Sequence, residues 1–151
     1  MGTVPLILRA IPELGQAPSS GGHVLDVIVA TQQLYGRVGF EPPWIGYLAF
    51  EADRCVGTCG FTSPPQSDRV EIAYFTFPEN EARGIATRMA SELIQIARNS
   101  SRDLVITAHT LPRQGASTAV LRKLGFAHVA TIEHPEDGTV WEWQLGDELE
   151  A

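Results

Sequence analysis

The stretch that most constrains this chain is "RVEIAYFTFPENEARGIATRMASELIQIAR", residues 69–98. Its opening nine residues are dominated by β-branched and aromatic side chains and read as a strand, which Pro78 ends. From about Gly84 to Arg98, Ile85, Met89, Leu93, Ile96 and Ala97 fall on one face of a helix. Strand, short loop and helix in direct succession are the unit from which α/β domains are built. Gly84 is the anomaly in it, because glycine is about 1 kcal/mol worse than alanine inside a helix. A helix N-terminus without a Cβ lets backbone amides press against an anion, and the helix dipole favours negative charge there. The glycine therefore predicts an anion seat at the head of this helix.

The rest of the chain alternates in the same way. A short extended opening, "VPLILRAIP", and a Ser/Gly patch from Ser19 to Gly22 lead into "HVLDVIVATQQLYGRV", where Val24, Leu25, Ile28, Val29 and Leu34 have helical spacing. "WIGYLAFEADRCVGTCGF" reads as two strands around a tight turn at Ala52 to Arg54. "DLVITAHT" is a further strand, and "ASTAVLRKLG" a short helix closed by Gly125. "FAHVATIEH" and "TVWEWQL" pair around "PEDG". No linker divides the chain, so residues 1–151 form one domain, a length that buries roughly 70% of the surface exposed when unfolded.

Composition excludes several functions. With 44% hydrophobic and 19% charged residues the chain is ordinary globular material, and no apolar run reaches the roughly 20 residues of a membrane span. The N-terminus lacks a basic start and a long apolar stretch, which predicts a cytoplasmic protein. A net charge of -7 argues against a general grip on nucleic acid and suits a cationic or amine substrate. Cys55 and Cys59, four apart on a strand, should share a face about 13 Å apart, too far for a disulfide or a shared metal. The histidines at 23, 109, 128 and 134 show no ligand spacing and read as structural or surface residues, so no metal is expected.

The strand, loop and glycine-headed helix, followed after one more strand by "LPRQGASTAVLRKLGF", resemble the two central motifs of the GNAT superfamily of acetyl-CoA-dependent N-acyltransferases. The family's loop runs Gln or Arg, two residues, Gly, one residue, Gly or Ala; here it stands as Glu81, Ala82, Arg83, Gly84, Ile85, Ala86. "KLGF", residues 123–126, ends the second motif as it often does in the branch holding ribosomal-protein and many small-amine acetylases. The resemblance covers about residues 44–145. It implies a mixed α/β (α+β) domain: a central twisted, mostly antiparallel sheet of six or seven strands with helices on both faces. The strands at 70–77 and 103–110 should lie side by side and diverge at the end nearest Pro78. It also implies a monomer or homodimer that binds acetyl-CoA and an amine acceptor, a small molecule or a peptide N-terminus.

Residue by residue, the resemblance implies that the amides from Ala82 through Arg83, Gly84, Ile85 and Ala86 to Thr87 cradle the coenzyme A pyrophosphate. The backbone of Phe75, Thr76 and Phe77 would pair with the pantetheine arm, with a strand amide near Phe75 polarising the thioester carbonyl. Gln114 replaces the branch's usual Asn and keeps both a donor and an acceptor. Glu81, where Gln or Arg is usual, either turns to solvent, the favoured reading, or weakens binding so that it rests on the amides plus Arg83 and Arg88. Glu71, at the place of the catalytic glutamate of some members, is the candidate base, directly or through water; its other reading is an ordinary strand carboxylate. The tyrosine that many members use to protonate the thiolate is replaced by Leu121, which leaves Ser117, otherwise a helix-start residue. Trp44, Tyr47 and Tyr35 either line the acceptor side or belong to the core. The alternative to a transferase is an acyl-CoA-binding sensor of the same fold without turnover.

Overall fold

The computed structural model describes residues 4–15 and 22–146; the Ser/Gly patch at 19–21 and the side chain of His23 lie outside the described residues. In chain order the elements are β1 (Leu6–Ala10), α1 (Gly22–Val38), β2 (Gly46–Glu51), β3 (Arg54–Phe61) and β4 (Arg69–Thr76). A 3-10 turn (Pro78–Asn80) follows, then α2 (Ile85–Ser100), β5 (Val105–Thr110), α3 (Ala116–Lys123), β6 (Phe126–His134) and β7 (Gly138–Leu145). The strands form one sheet in the order β1-β2-β3-β4-β5-β7-β6, antiparallel throughout except for β4 and β5.

Alternation along the strands dictates the layers. Val70 and Ile72 of β4, Ile106 and Ala108 of β5 and Trp143 of β7 are all buried on one face. α2 covers that face with Ile85, Met89, Ala90, Leu93 and Ala97, the predicted stripe with Ile96 at its margin. Leu93 is wholly buried, so Leu93→Ala should destabilise the fold by about 2–5 kcal/mol. α1 lies on the opposite face, where a Cβ on Gly46 would meet Thr31 Cγ2 at 2.7 Å. The Tyr35 hydroxyl fastens α1 to the sheet, donating to the Ile11 carbonyl (2.8 Å) and accepting from the Gly46 amide (3.0 Å). Val24, Ile28 and Tyr35 form the buried stripe of α1; Leu25 and Val29, expected in it, sit one position round the helix and are exposed.

β4 and β5 pair from Arg69↔Val105 to Ile72↔Ala108, and β4 then runs on to Thr76 without β5. The two strands part at the end nearest Pro78, as the resemblance implies. Tyr35 and Tyr47 are core residues, and Trp44 packs edge-on against Phe61 at 5.0 Å. The expectation for the cysteines is corrected. A bulge in β3 pairs Phe50 with Cys55 and Ala49 with Gly57, so the extra residue Val56 inverts the alternation and puts Cys55 and Cys59 on opposite faces. Both are unpaired thiols.

Candidate functional site

The helix head differs from the sequence expectation in an instructive way. Helix α2 begins at Ile85, and Gly84 is its N-cap in the left-handed region (φ 77°, ψ 11°). A Cβ there would meet no atom within 4 Å, so the backbone conformation demands the glycine while the space above it stays open. Ala82 is also left-handed (φ 67°), a conformation worth about 1–2 kcal/mol of strain for a residue with a Cβ. Left-handed residues flank Arg83, the kind of turn in which successive amides form anion-receiving concavities. The first helical bond runs from the Arg88 amide to the Gly84 carbonyl (3.1 Å), so the amides of Ile85, Ala86 and Thr87 precede the helical ladder.

What holds this loop is a network that local sequence does not reveal. Arg83 donates to Asn80 (3.0 Å) and to Glu51 (2.5 Å); Arg88 donates to the other Glu51 oxygen (2.8 Å) and to the Val4 carbonyl. Burial opposes ionisation of Glu51, and hydrogen bonds and charge from both arginines outweigh it, holding its carboxyl below the usual range. Both arginine side chains are thus engaged within the protein, chiefly with Glu51 at the end of β2. Glu81 is exposed at the rim of the cradle.

From the cradle a groove of about 550 Å³ runs between α2 and α3 along the end of β4, lined by Gly84–Thr87 at one end and by Tyr74, Phe75, Thr76, Ser117 and Val120 at the other. Thr76 Oγ1 is the buried side-chain polar atom without a partner among the described residues, and it stands where β4 leaves β5. An orphaned hydroxyl, an amide cradle and an unpaired strand edge in one groove fit a long ligand with an anionic end and an amide-bearing arm, the build of coenzyme A. Peptide direction refines which groups face it. The Glu71 carbonyl bonds Thr62 (3.0 Å) and the Phe77 amide bonds Val56 (3.0 Å), both towards β3. Alternation then turns Tyr74 and Thr76 towards the parting with β5, and Phe75 away from it. Thr76 and Tyr74 line the groove, and Phe77 is buried outside it. Gln114 accepts from Thr118 (3.3 Å) and Arg122 and also lies outside the groove lining.

On the α1 face lies a second hollow of about 210 Å³, shared between Thr31 and Leu34 of α1 and the strands β2, β3 and β4. Its floor follows from register: Gly46 pairs with Gly60 and Gly60 with Ala73, aligning three small residues across three strands. Tyr74 and Phe75 border both hollows and form the wall between them. The Tyr74 phenol donates to the Ser117 carbonyl (3.2 Å), and burial pushes its pKa to about 12, so it stays protonated around neutrality. Ser117 itself is exposed in the groove, whereas Leu121 is wholly buried.

Glu71 shares the trough face of β4 with Ala73 and Phe75. Its Oε1 accepts from Thr62 (3.3 Å), a residue of the trough lining, and its Oε2 lies 3.4 Å from His109 Nδ1. Burial raises its pKa, against the lowering influence of His109, Thr62 and His134. The sheet thus separates the two candidate catalytic residues, Glu71 on the trough side and Ser117 on the groove side. His109, read from sequence as structural, is the partner that reasoning missed, because only the strand register brings it to Glu71.

No helix of the described residues is long and apolar enough to cross a membrane. No curated protein matches the chain. Among solved structures, a spermidine N-acetyltransferase SpeG chimera from Vibrio cholerae and human shares 12% identity over 95% of this chain and 96% of its own, with a TM-score of 0.69. An apo structure of the ribosomal alpha-N-protein acetyltransferase RimL has 18% identity, 95% and 97% coverage and a TM-score of 0.68. The putative acetyltransferase yncA from Salmonella typhimurium, solved with acetyl-CoA, has 21% identity, 83% and 73% coverage and a TM-score of 0.60. These likenesses show the fold. The family profile of the GNAT acetyltransferase domain matches residues 16–127, most of the chain from before α1 to the start of β6, and the chain therefore belongs to the GNAT family of acyl-CoA-dependent N-acetyltransferases.

Proposed function

We propose that the protein transfers an acetyl group from acetyl-CoA to a primary amine, of a small molecule or of a peptide or protein N-terminus, by direct attack. The observation that carries this reading is the wall formed by Tyr74 and Phe75: an anion-cradling groove lies on one side, and a trough floored by small residues, with a half-buried carboxylate beside it, on the other. The amides of Ala82 to Thr87 hold the pyrophosphate, and Thr76 with the Tyr74 peptide holds the pantetheine arm. Acetyl-CoA supplies the activated acyl group; the protein supplies position and proton transfer.

The amine sits in the trough and reaches the acyl carbonyl past the wall. Glu71 takes its proton. Four residues of strand, about 13 Å, separate Glu71 from Phe75, so the proton crosses through water rather than by direct contact. On the far side Ser117, exposed in the groove, passes a proton from water to the departing thiolate, taking one proton as it gives one. The test follows free-thiol release from acetyl-CoA against a panel of primary amines and N-terminal peptides. Turnover on one class supports the transferase; tight acetyl-CoA binding with no turnover on any amine would refute it in favour of the acyl-CoA sensor.

A further inference from the structure

We propose that His109, clasped between Glu71 and Glu142, is the positioning residue of the amine-binding side: it holds Glu71 towards the trough and passes the proton Glu71 collects to solvent. This rests on the reading of Glu71 as the base. The arrangement comes from three adjacent strands. His109 of β5 is registered directly opposite Glu142 of β7, and Glu71 of β4 lies diagonally across on the same face. His109 Nδ1 is 3.4 Å from Glu71 Oε2, and Nε2 is 3.6 Å from Glu142 Oε2. The imidazole therefore spans the two carboxylates with both nitrogens, while Thr62 engages the other oxygen of Glu71 at 3.3 Å. Thr62 and His109 thus approach opposite oxygens of Glu71, which favours one orientation of its carboxylate.

The charges around the ring decide which carboxylate depends on it. Glu142 has a cation beside it, Arg69 at 3.5 Å, whereas the side chains nearest the Glu71 carboxylate are His109 and the neutral Thr62. His134 of β6 stacks edge-on to His109 with ring centres 6.3 Å apart, and its own carboxylate neighbour is Asp137 at 3.5 Å. An imidazole can accept a proton on one nitrogen while releasing one from the other near neutral pH. In the neutral ring with its hydrogen on Nε2, the amine's proton moves to Glu71 and from Glu71 Oε2 to Nδ1; a proton leaves Nε2 past Glu142 to solvent, Glu71 returns to its ionised form, and the ring regains its first tautomer by proton exchange with solvent before the next turnover. The His109 side chain is 22% exposed, which gives that proton its exit.

His109→Gln keeps volume and hydrogen bonding and removes the ring's ability to take up and release a proton. In that variant kcat should fall on the order of tenfold, and the acidic limb of kcat/KM should move to higher pH, since the ring that favours ionised Glu71 is gone. Acetyl-CoA affinity should stay at the wild-type value, and His109→Gln should add little in a Glu71→Gln background because the two act in one path. A carbon-13 titration of the Glu71 carboxyl, read without turnover, should show a higher midpoint in His109→Gln than in wild type. An unmoved midpoint or an unaltered pH profile overturns the proposal. Full activity of Glu71→Gln would be a separate failure, refuting the base and the relay together while leaving the carboxyl titration to report on the contact.

Discussion

Gly84 offers the sharpest experiment, because the structure separates two reasons for a glycine that coincide in the sequence. Any residue with a Cβ at φ 77° is strained by about 1–2 kcal/mol, with Asn and Asp at the low end. A Cβ there meets nothing within 4 Å, so bulk alone does little. Comparing Gly84→Asn with Gly84→Asp holds backbone strain and size constant and changes one charge. Both should lower Tm by a few degrees, at about 2–4 °C per kcal/mol for a chain of this length. Asp should be no less stable than Asn, since a carboxylate suits a helix N-terminus.

Binding should order them oppositely. A carboxylate at 4–6 Å from a pyrophosphate in an open, partly solvated seat opposes it by about 1–3 kcal/mol, roughly 5- to 150-fold in Kd. Calorimetry with acetyl-CoA at low salt should show Asp weaker than Asn by that factor, with the gap narrowing as salt is raised. Equal affinities would mean that no anion sits at the helix head, and the site assignment would fall.

Thr76→Val should leave stability unchanged or slightly raised, since it removes a buried hydroxyl without a partner, yet weaken acetyl-CoA binding by about 0.5–1.5 kcal/mol in calorimetry. Ala73→Leu fills the floor of the trough on an exposed site, so the amine KM should rise while acetyl-CoA affinity holds; a KM rise for acetyl-CoA instead would misplace the acceptor. Glu71→Gln should cut kcat/KM by roughly 10²- to 10⁴-fold, a loss that alkaline pH relieves by supplying neutral amine. Glu51→Gln should lower Tm above about pH 5. Because the folded carboxyl titrates below its unfolded value, that gap should close as the pH falls through the folded value, which thermal scans at stepped pH would read.

What was legible in the sequence was encoded locally. The β4–loop–α2 unit announces itself through β-branched residues, a proline and a helical stripe, and the glycine marks the cradle within it. The misreadings share a non-local cause. One extra residue at Val56 inverts every face assignment before it in β3, and nothing in "RCVGTCGF" betrays it. The trough floor exists only once Gly46, Gly60 and Ala73 are in register, and His109 meets Glu71 only through the order β4-β5-β7. The partner of the loop's arginines, Glu51, lies 32 residues before Arg83, so no local pattern shows the pairing.

That last pairing changes the physics of the anion seat. Two arginines against one carboxylate leave that cluster with a net single positive charge, which Glu81 at the rim of the cradle offsets, and the guanidinium groups are fixed on Glu51. In the proposed function the contacts to the phosphates therefore fall to the backbone amides of Ala82 to Thr87 rather than to charged side chains. Such a seat works only if the loop keeps its strained shape before the ligand arrives. Glu51 supplies that rigidity from the β2–β3 hairpin, and the buried Asn80, bonded to Arg83, ties the 3-10 turn to the same network. A carboxylate near a phosphate site, which charge alone would count against binding, is here the anchor that shapes the site.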